Sequence, residues 1–234
     1  MSSQPSDRAH TDRIVWIDCE MTGLSLADDA LIEVAALVTD FDLNQLGDGV
    51  EVVIRPPAGA LEQMGDFVRE MHTSSGLLDE LEDGLTMEEA QRRVLDYVRA
   101  WVPEPMRAPL GGNTVGTDRG FLARDMPELE SHLHYRVIDV SSVKELSRRW
   151  YPRAYFSAPA KSGGHRALAD IRESIAELRY YRAAVFVAPP GPSAEDLRAL
   201  AARHVVDHAA GGATAEQAAE AVNRVGTTPE EQVR

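Results

Sequence analysis

Ile14-Val-Trp-Ile-Asp-Cys-Glu-Met21 (IVWIDCEM) starts as an apolar run and ends with two carboxylates two residues apart. The Ile and Val content predicts a buried β-strand over residues 13–19. Strand side chains alternate between faces, so Asp18 and Glu20 point the same way and Cys19 points the other. Two carboxylates ~4 Å apart repel by ~1 kcal/mol in water and by ~4 kcal/mol at the effective dielectric of a protein surface. A strand end that tolerates this pair calls for positive charge between them.

The chain has 234 residues, of which 44% are hydrophobic, enough for one domain with extensions. A net charge of -14 disfavours long-range electrostatic tracking of nucleic acid. It leaves room for a short substrate held by local contacts. The single cysteine, Cys19, cannot form an internal disulfide, which fits a reducing cytoplasm. The N-terminus (MSSQPSDRAHTDR) lacks the apolar stretch of a secretory signal, and no run reaches the ~18 apolar residues of a membrane span.

Residues 1–12 read as a flexible arm, 13–186 as one domain, and 187–234 as a C-terminal extension, partly helical and then weakly ordered. Within the domain, further strands are predicted at 31–39 (where Ala and Leu leave a helix as the alternative), at 51–55 (stopped by Pro56-Pro57), at 109–112 and at 136–139. The first three strands suggest an antiparallel meander. Helical patterning begins near residue 60. Thr86-Met-Glu-Glu89 resembles a capping box, and helices follow near 115–125, 141–150, 168–184 and 193–204. The order points to an α/β fold, a mixed central sheet flanked by helices.

More acids stand in awkward places. Asp118 shares a helix face with Val115, Phe121 and Leu122, the face that packs on the sheet, where an uncompensated carboxylate is costly. Asp170 flanks the stripe Leu168, Ile171, Ile175 and Leu178, in the first turn of its helix, where the dipole also favours an acid. His165 lies five residues earlier, behind the flexible Lys161-Ser-Gly-Gly164. Four carboxylates without clustered Cys or His suit hard divalent ions, Mg²⁺ or Mn²⁺. Two such ions ~4 Å apart can bind both the attacking and the leaving oxygens of a phosphodiester. Imidazole is the side chain that accepts a proton from water near neutrality.

The stretches WIDCEMTGL, LIEVAALVTD, HTSSGLLDEL, GNTVGTDRGFL, HYRVIDVSSVKELSRRWYP and HRALADIRESIAELRYYR resemble the oligoribonuclease family. These are DEDDh-type 3′→5′ exonucleases, named for four acids and a histidine. The resemblance runs from about residue 13 to 184. It implies an RNase H-like fold and a homodimer that removes nucleotides from the 3′ end of very short RNAs, dinucleotides above all. It also implies that Asp18, Glu20, Asp118 and Asp170 hold two Mg²⁺ or Mn²⁺ ions, with His165 as general base. By the same likeness, Leu24 wedges against the substrate bases and His72 lines the nucleotide pocket. Thr114, Arg136 and Ser141 cap the 5′ phosphate, and Tyr135 stacks on the substrate of the partner subunit.

A helix N-terminus at Ser141 and the planar fork of Arg136 suit a phosphate on physical grounds as well; ordinary N-capping by Ser141 is the plainer alternative. Thr114 stands where the family commonly has serine, and Phe67 where it often has tryptophan. The alternative function is that of another DEDDh exonuclease, acting on longer single-stranded DNA or RNA in proofreading or tRNA trimming.

Overall fold

A computed structural model describes residues 12–160 and 164–209. The expected N-terminal arm, the Lys161–Gly163 part of the Gly-rich approach and the weakly ordered tail lie outside these residues, apart from Asp12. The chain divides into two compact units between Val185 and Phe186.

The first unit is built on a five-stranded sheet of order β3-β2-β1-β4-β5, with β1 at Arg13–Met21, β2 at Leu31–Asp40, β3 at Gln45–Val53, β4 at Pro109–Gly112 and β5 at His134–Asp139. β1, β2 and β3 form the antiparallel meander. β4 runs parallel to β1, and β5 parallel to β4, which makes the sheet mixed. The helices are α1 (Asp66–Ser74), α2 (Leu77–Glu80), α3 (Met87–Trp101), α4 (Gly116–Asp125), α5 (Pro127–His132), α6 (Val140–Trp150), α7 (Pro152–Phe156) and α8 (Ala167–Val185). The second unit contributes α9, Ala194–Ala209.

Alternation along β1 divides the core. Val15, Ile17 and Cys19 face a cluster with Val94, Leu95 and Val98 of α3 and Phe121 and Leu122 of α4. Ile14 and Trp16 face the opposite layer, with Val140 of α6 and Ala167, Ile171 and Ile175 of α8. Full burial of each large side chain contributes ~1.5–3 kcal/mol. The Trp16 indole N–H donates to Thr39 Oγ1 at 2.9 Å, so burying it leaves no polar atom unsatisfied. Gly111 lets β4 lie against β1: a Cβ there would stand 2.8 Å from Ile14 Cγ2.

The third strand begins six residues earlier than the sequence pattern predicts, at Gln45 instead of Glu51. Gly47 and Gly49, both at positive φ, and the largely uncovered first half of β3 hide it from a search for alternating apolar residues. Beyond its end, Ile54 bridges to Leu85. The capping box is present: Thr86 Oγ1 accepts from the Glu89 N–H, and the Glu89 carboxylate accepts from the Thr86 N–H.

Candidate active site

The alternation that buries Ile14 and Trp16 carries Asp18 and Glu20 onward on the same face, toward α8. There Asp170, in the first turn of α8, meets them: one carboxylate oxygen each from Asp18, Glu20 and Asp170 lies within 4.8 Å of the others. Asp118 enters from α4, which starts just past the end of β4. Its Oδ1 accepts the Cys19 backbone N–H at 3.0 Å, tying the helix to the strand between the two acids. The four acids thus gather at the C-terminal ends of two adjacent parallel strands, β1 and β4.

The electrostatics of this cluster are adverse without a cation. Burial, followed by the charges of Asp118 and Glu20, raises the Asp18 pKa well above the usual carboxylate range. Burial and the Asp170 charge push Glu20 up to about 8. Burial also lifts Asp118 to about 6, against the opposing hydrogen bond from Cys19. The Cys19 thiol is buried and its pKa is driven up, first by desolvation, so it is a packing residue and a poor nucleophile. The four acids offer hard oxygen atoms, which could hold a divalent cation.

His165 precedes α8 and is exposed, with φ +47, a left-handed conformation uncommon for a non-glycine residue. His72, on α1, is completely buried. Its Nε2–H donates to the Met21 carbonyl at 2.9 Å, and its Nδ1 stands 4.0 Å from Glu20 Oε2. Burial lowers the His72 pKa, and nearby His165 adds to that effect. A neutral His72 therefore supports the end of β1 from below.

The substrate-side residues fall in two places. Leu24 is 76% exposed at the tip of the turn after β1. Asp29 shapes that turn by accepting from Thr22 Oγ1 at 3.0 Å and from the Ser25 N–H at 2.8 Å. A Cβ on Gly23 would fall 2.4 Å from the Asp29 carboxylate, so a side chain there would push Asp29 out of its place in the turn. Arg124 of α4 braces the turn from outside, donating to the Leu26 carbonyl and, at 2.8 Å, to the Asp29 carbonyl.

Thr114 and Ser141 meet at the second place, where the Thr114 N–H donates to Ser141 Oγ at 3.3 Å. Asp139, and not Ser141, is the N-cap of α6. Its Oδ1 accepts from the Ser141 N–H at 2.9 Å, the Ser141 hydroxyl at 2.6 Å and the Thr114 N–H at 3.0 Å. Arg136 and Tyr135 lie on β5, with the guanidinium 5.5 Å from the ring centroid of Tyr135. Tyr135 is 65% exposed, and Phe67, on α1, is also exposed.

Sequence reasoning overlooked Asp139, Asp29, Arg124 and Glu33. Glu33 carried a signal: it is the one charged residue inside the apolar run Leu31-Ile-Glu-Val-Ala-Ala-Leu-Val38. It lies directly across from Glu20 in the β1–β2 register, completely buried.

The RNase_T exonuclease family matches residues 15–178. The oligoribonuclease of Streptomyces avermitilis is 71% identical over 195 residues, 83% of this chain and 98% of its own. That of Mycobacterium avium is 60% identical over 192 residues, 82% of this chain and 89% of its own. The chain belongs to the oligoribonuclease family. It is a 3′→5′ exoribonuclease and a hydrolase, with the acidic cluster of a divalent-metal-dependent exonuclease.

Among solved structures, exonuclease I of Methylocaldum szegediense superposes with a TM-score of 0.52 at 21% identity, over 73% of this chain and 40% of that one. Exonuclease I of E. coli, in complex with a dT13 oligonucleotide, gives a TM-score of 0.57 at 17% identity, over 73% of this chain and 41% of its own. This chain spans about two fifths of the length of those proteins, and the likeness carries the RNase H-like fold.

Proposed function

We propose that this exoribonuclease acts on the shortest RNAs, dinucleotides above all, and releases mononucleotides by two-metal-ion hydrolysis. The observation that carries the mechanism is the convergence of Asp18, Glu20 and Asp170 within 4.8 Å, with Asp118 tied between the first two. Asp18, Glu20, Asp118 and Asp170 would hold two Mg²⁺ or Mn²⁺ ions, which supply Lewis-acid stabilisation of the phosphodiester oxygens.

His165 takes the proton from the attacking water. Its exposed position just before α8, near enough to His72 to affect that residue's protonation, favours this role. His72 forms the floor beneath the pocket. Leu24, on its braced turn, wedges against the bases, with Phe67 as a further apolar surface.

Thr114, Ser141 and Arg136 cap the 5′ phosphate. Asp139 prepares this subsite by fixing the Thr114 and Ser141 backbones. A ligand gripped at both ends needs no basic track, which fits the net charge of -14.

A homodimer is supported by β5. It is an edge strand whose exposed Tyr135 and Val137 are followed along the chain by exposed Leu146 and Trp150 of α6 and Phe156 of α7. Tyr135 then acts across the interface on the partner's substrate. The one cysteine of the chain, Cys19, is buried and not in a disulfide, which fits a cytoplasmic enzyme. No helix among the described residues is long and apolar enough to cross a membrane.

The purified protein, given a diribonucleotide and a single-stranded DNA of twenty or more nucleotides in parallel, tests substrate class. Faster hydrolysis of the diribonucleotide supports the proposal, and preference for the DNA points to a proofreading-type exonuclease.

A further inference from the structure

Arg166 follows His165 directly, and its guanidinium is held on three sides. Nε donates to Glu33 Oε1 at 2.9 Å, Nη1 to Glu80 Oε1 at 2.7 Å and Nη2 to Glu80 Oε2 at 3.2 Å. Glu51 Oε2 stands 3.9 Å from Nη2. The backbone that follows is held by the same acids: the Ala167 N–H donates to Glu33 Oε2 and the Leu168 N–H to Glu51 Oε1, both at 2.9 Å.

Three consecutive residues after His165 are thus bound to carboxylates from β2, β3 and α2. Glu33 is completely buried and spends one oxygen on the Arg166 side chain and the other on the Ala167 backbone. A buried ion pair often gives no more stability than apolar packing would, so stability alone is a weak account of Glu33 here. α8 also has apolar anchors of its own, since Ala167, Ile171 and Ile175 sit in the core. What the clamp adds is a fixed anchor immediately beside His165, a residue already held at positive φ.

We propose that Arg166, gripped by Glu33 and Glu80, is a positioning residue for His165: the clamp sets where the His165 backbone stands against the acid cluster. The inference rests on the reading of His165 as general base. Arg supplies a planar fork that meets Glu80 through two nitrogens while Nε meets Glu33, a geometry the point-like Lys ammonium does not reproduce.

The test is a double-mutant cycle on the full-length protein, with Arg166→Gln and Glu33→Gln made alone and in a His165→Ala background. The readouts are kcat, KM, Mn²⁺ affinity by calorimetry and melting temperature. A misplaced catalytic group costs about 10- to 100-fold in rate. Arg166→Gln should therefore lower kcat about 10-fold or more, while KM and Mn²⁺ affinity stay within about 2-fold. In the His165→Ala background, the same change should cost less than about 2-fold. Arg166→Lys should restore only part of the rate.

If Arg166→Gln does not fold, Glu80→Gln, which cuts the half-exposed side of the clamp, should show the same non-additivity with a loss of about 3-fold. Unchanged kcat, losses that multiply in the His165→Ala background, or weakened Mn²⁺ binding would each overturn the positioning role. His165→Ala with wild-type turnover would remove the general-base reading itself, and the clamp proposal with it. A slow His165→Ala enzyme with multiplying losses removes only the clamp.

Discussion

Loading the acid cluster with metal should expel protons, and the structure sets how many. Glu20, pushed from its ordinary 4.5 to about 8, carries on the order of 5 kcal/mol of extra proton affinity in the metal-free fold. At pH 7 such a carboxyl is about nine-tenths protonated, and at pH 9 about one-tenth. Cations bind the ionised form, so Mn²⁺ binding at pH 7 should release about one proton from Glu20 alone. Asp18, displaced in the same direction, adds to that. The acids titrate as a coupled set, so the total is the meaningful quantity.

Isothermal titration in buffers of different ionisation enthalpy measures that total. The account predicts at least about one proton per site at pH 7, with the share from Glu20 falling steeply toward pH 9. The sign for stability follows from the same shift. Between pH 4.5 and about 8, the folded Glu20 binds more protons than the unfolded, so this group's contribution to metal-free stability falls as pH rises. The melting-temperature gain from Mn²⁺ should grow across that window and level off above it. Release of less than half a proton at pH 7, or a gain that does not change with pH, would refute the electrostatic reasoning.

If Asp18 is the metal ligand proposed above, Asp18→Asn should cut turnover by about 1,000-fold or more, yet raise the melting temperature of metal-free protein at pH 8 by removing a carboxyl whose ionised form is disfavoured by burial and then by its acidic neighbours. His165→Ala should slow turnover by about 100- to 10,000-fold, the usual range for a general base, while calorimetry finds Mn²⁺ affinity within about 2-fold of wild type. Arg124→Ala releases the Leu24 turn from α4 and should raise KM for a dinucleotide by about 5- to 10-fold with a smaller change in kcat. Leu24→Ala should not multiply that effect if both act through the same wedge.

The strand alternation of IVWIDCEM was enough to place Asp18 and Glu20 on one face and Cys19 in the opposite core layer. Helical periodicity likewise placed Asp118 beside Phe121 and Leu122 on the buried side of α4. Both are local properties of one element. The contacts that escaped notice join distant parts of the chain. Glu33 meets Glu20 only once the β1–β2 register is known, and Arg166 reaches Glu33 across 133 residues. Arg124 braces a turn 95 residues away. Asp139 was hidden for a different reason: Ser141, two residues on, is also a good capping type, and only geometry shows which oxygen takes the free N–H groups.

The central claim is metal-dependent hydrolysis tuned to the shortest RNAs. An end-labelled RNA ladder, from two nucleotides upward, tests it with Mg²⁺, with Mn²⁺ and with chelator. The account predicts fastest cleavage of the dinucleotide, a steep fall with each added nucleotide, and loss of all cleavage in chelator that either ion restores. Equal rates on dinucleotides and long strands, or cleavage that survives chelation, would contradict it.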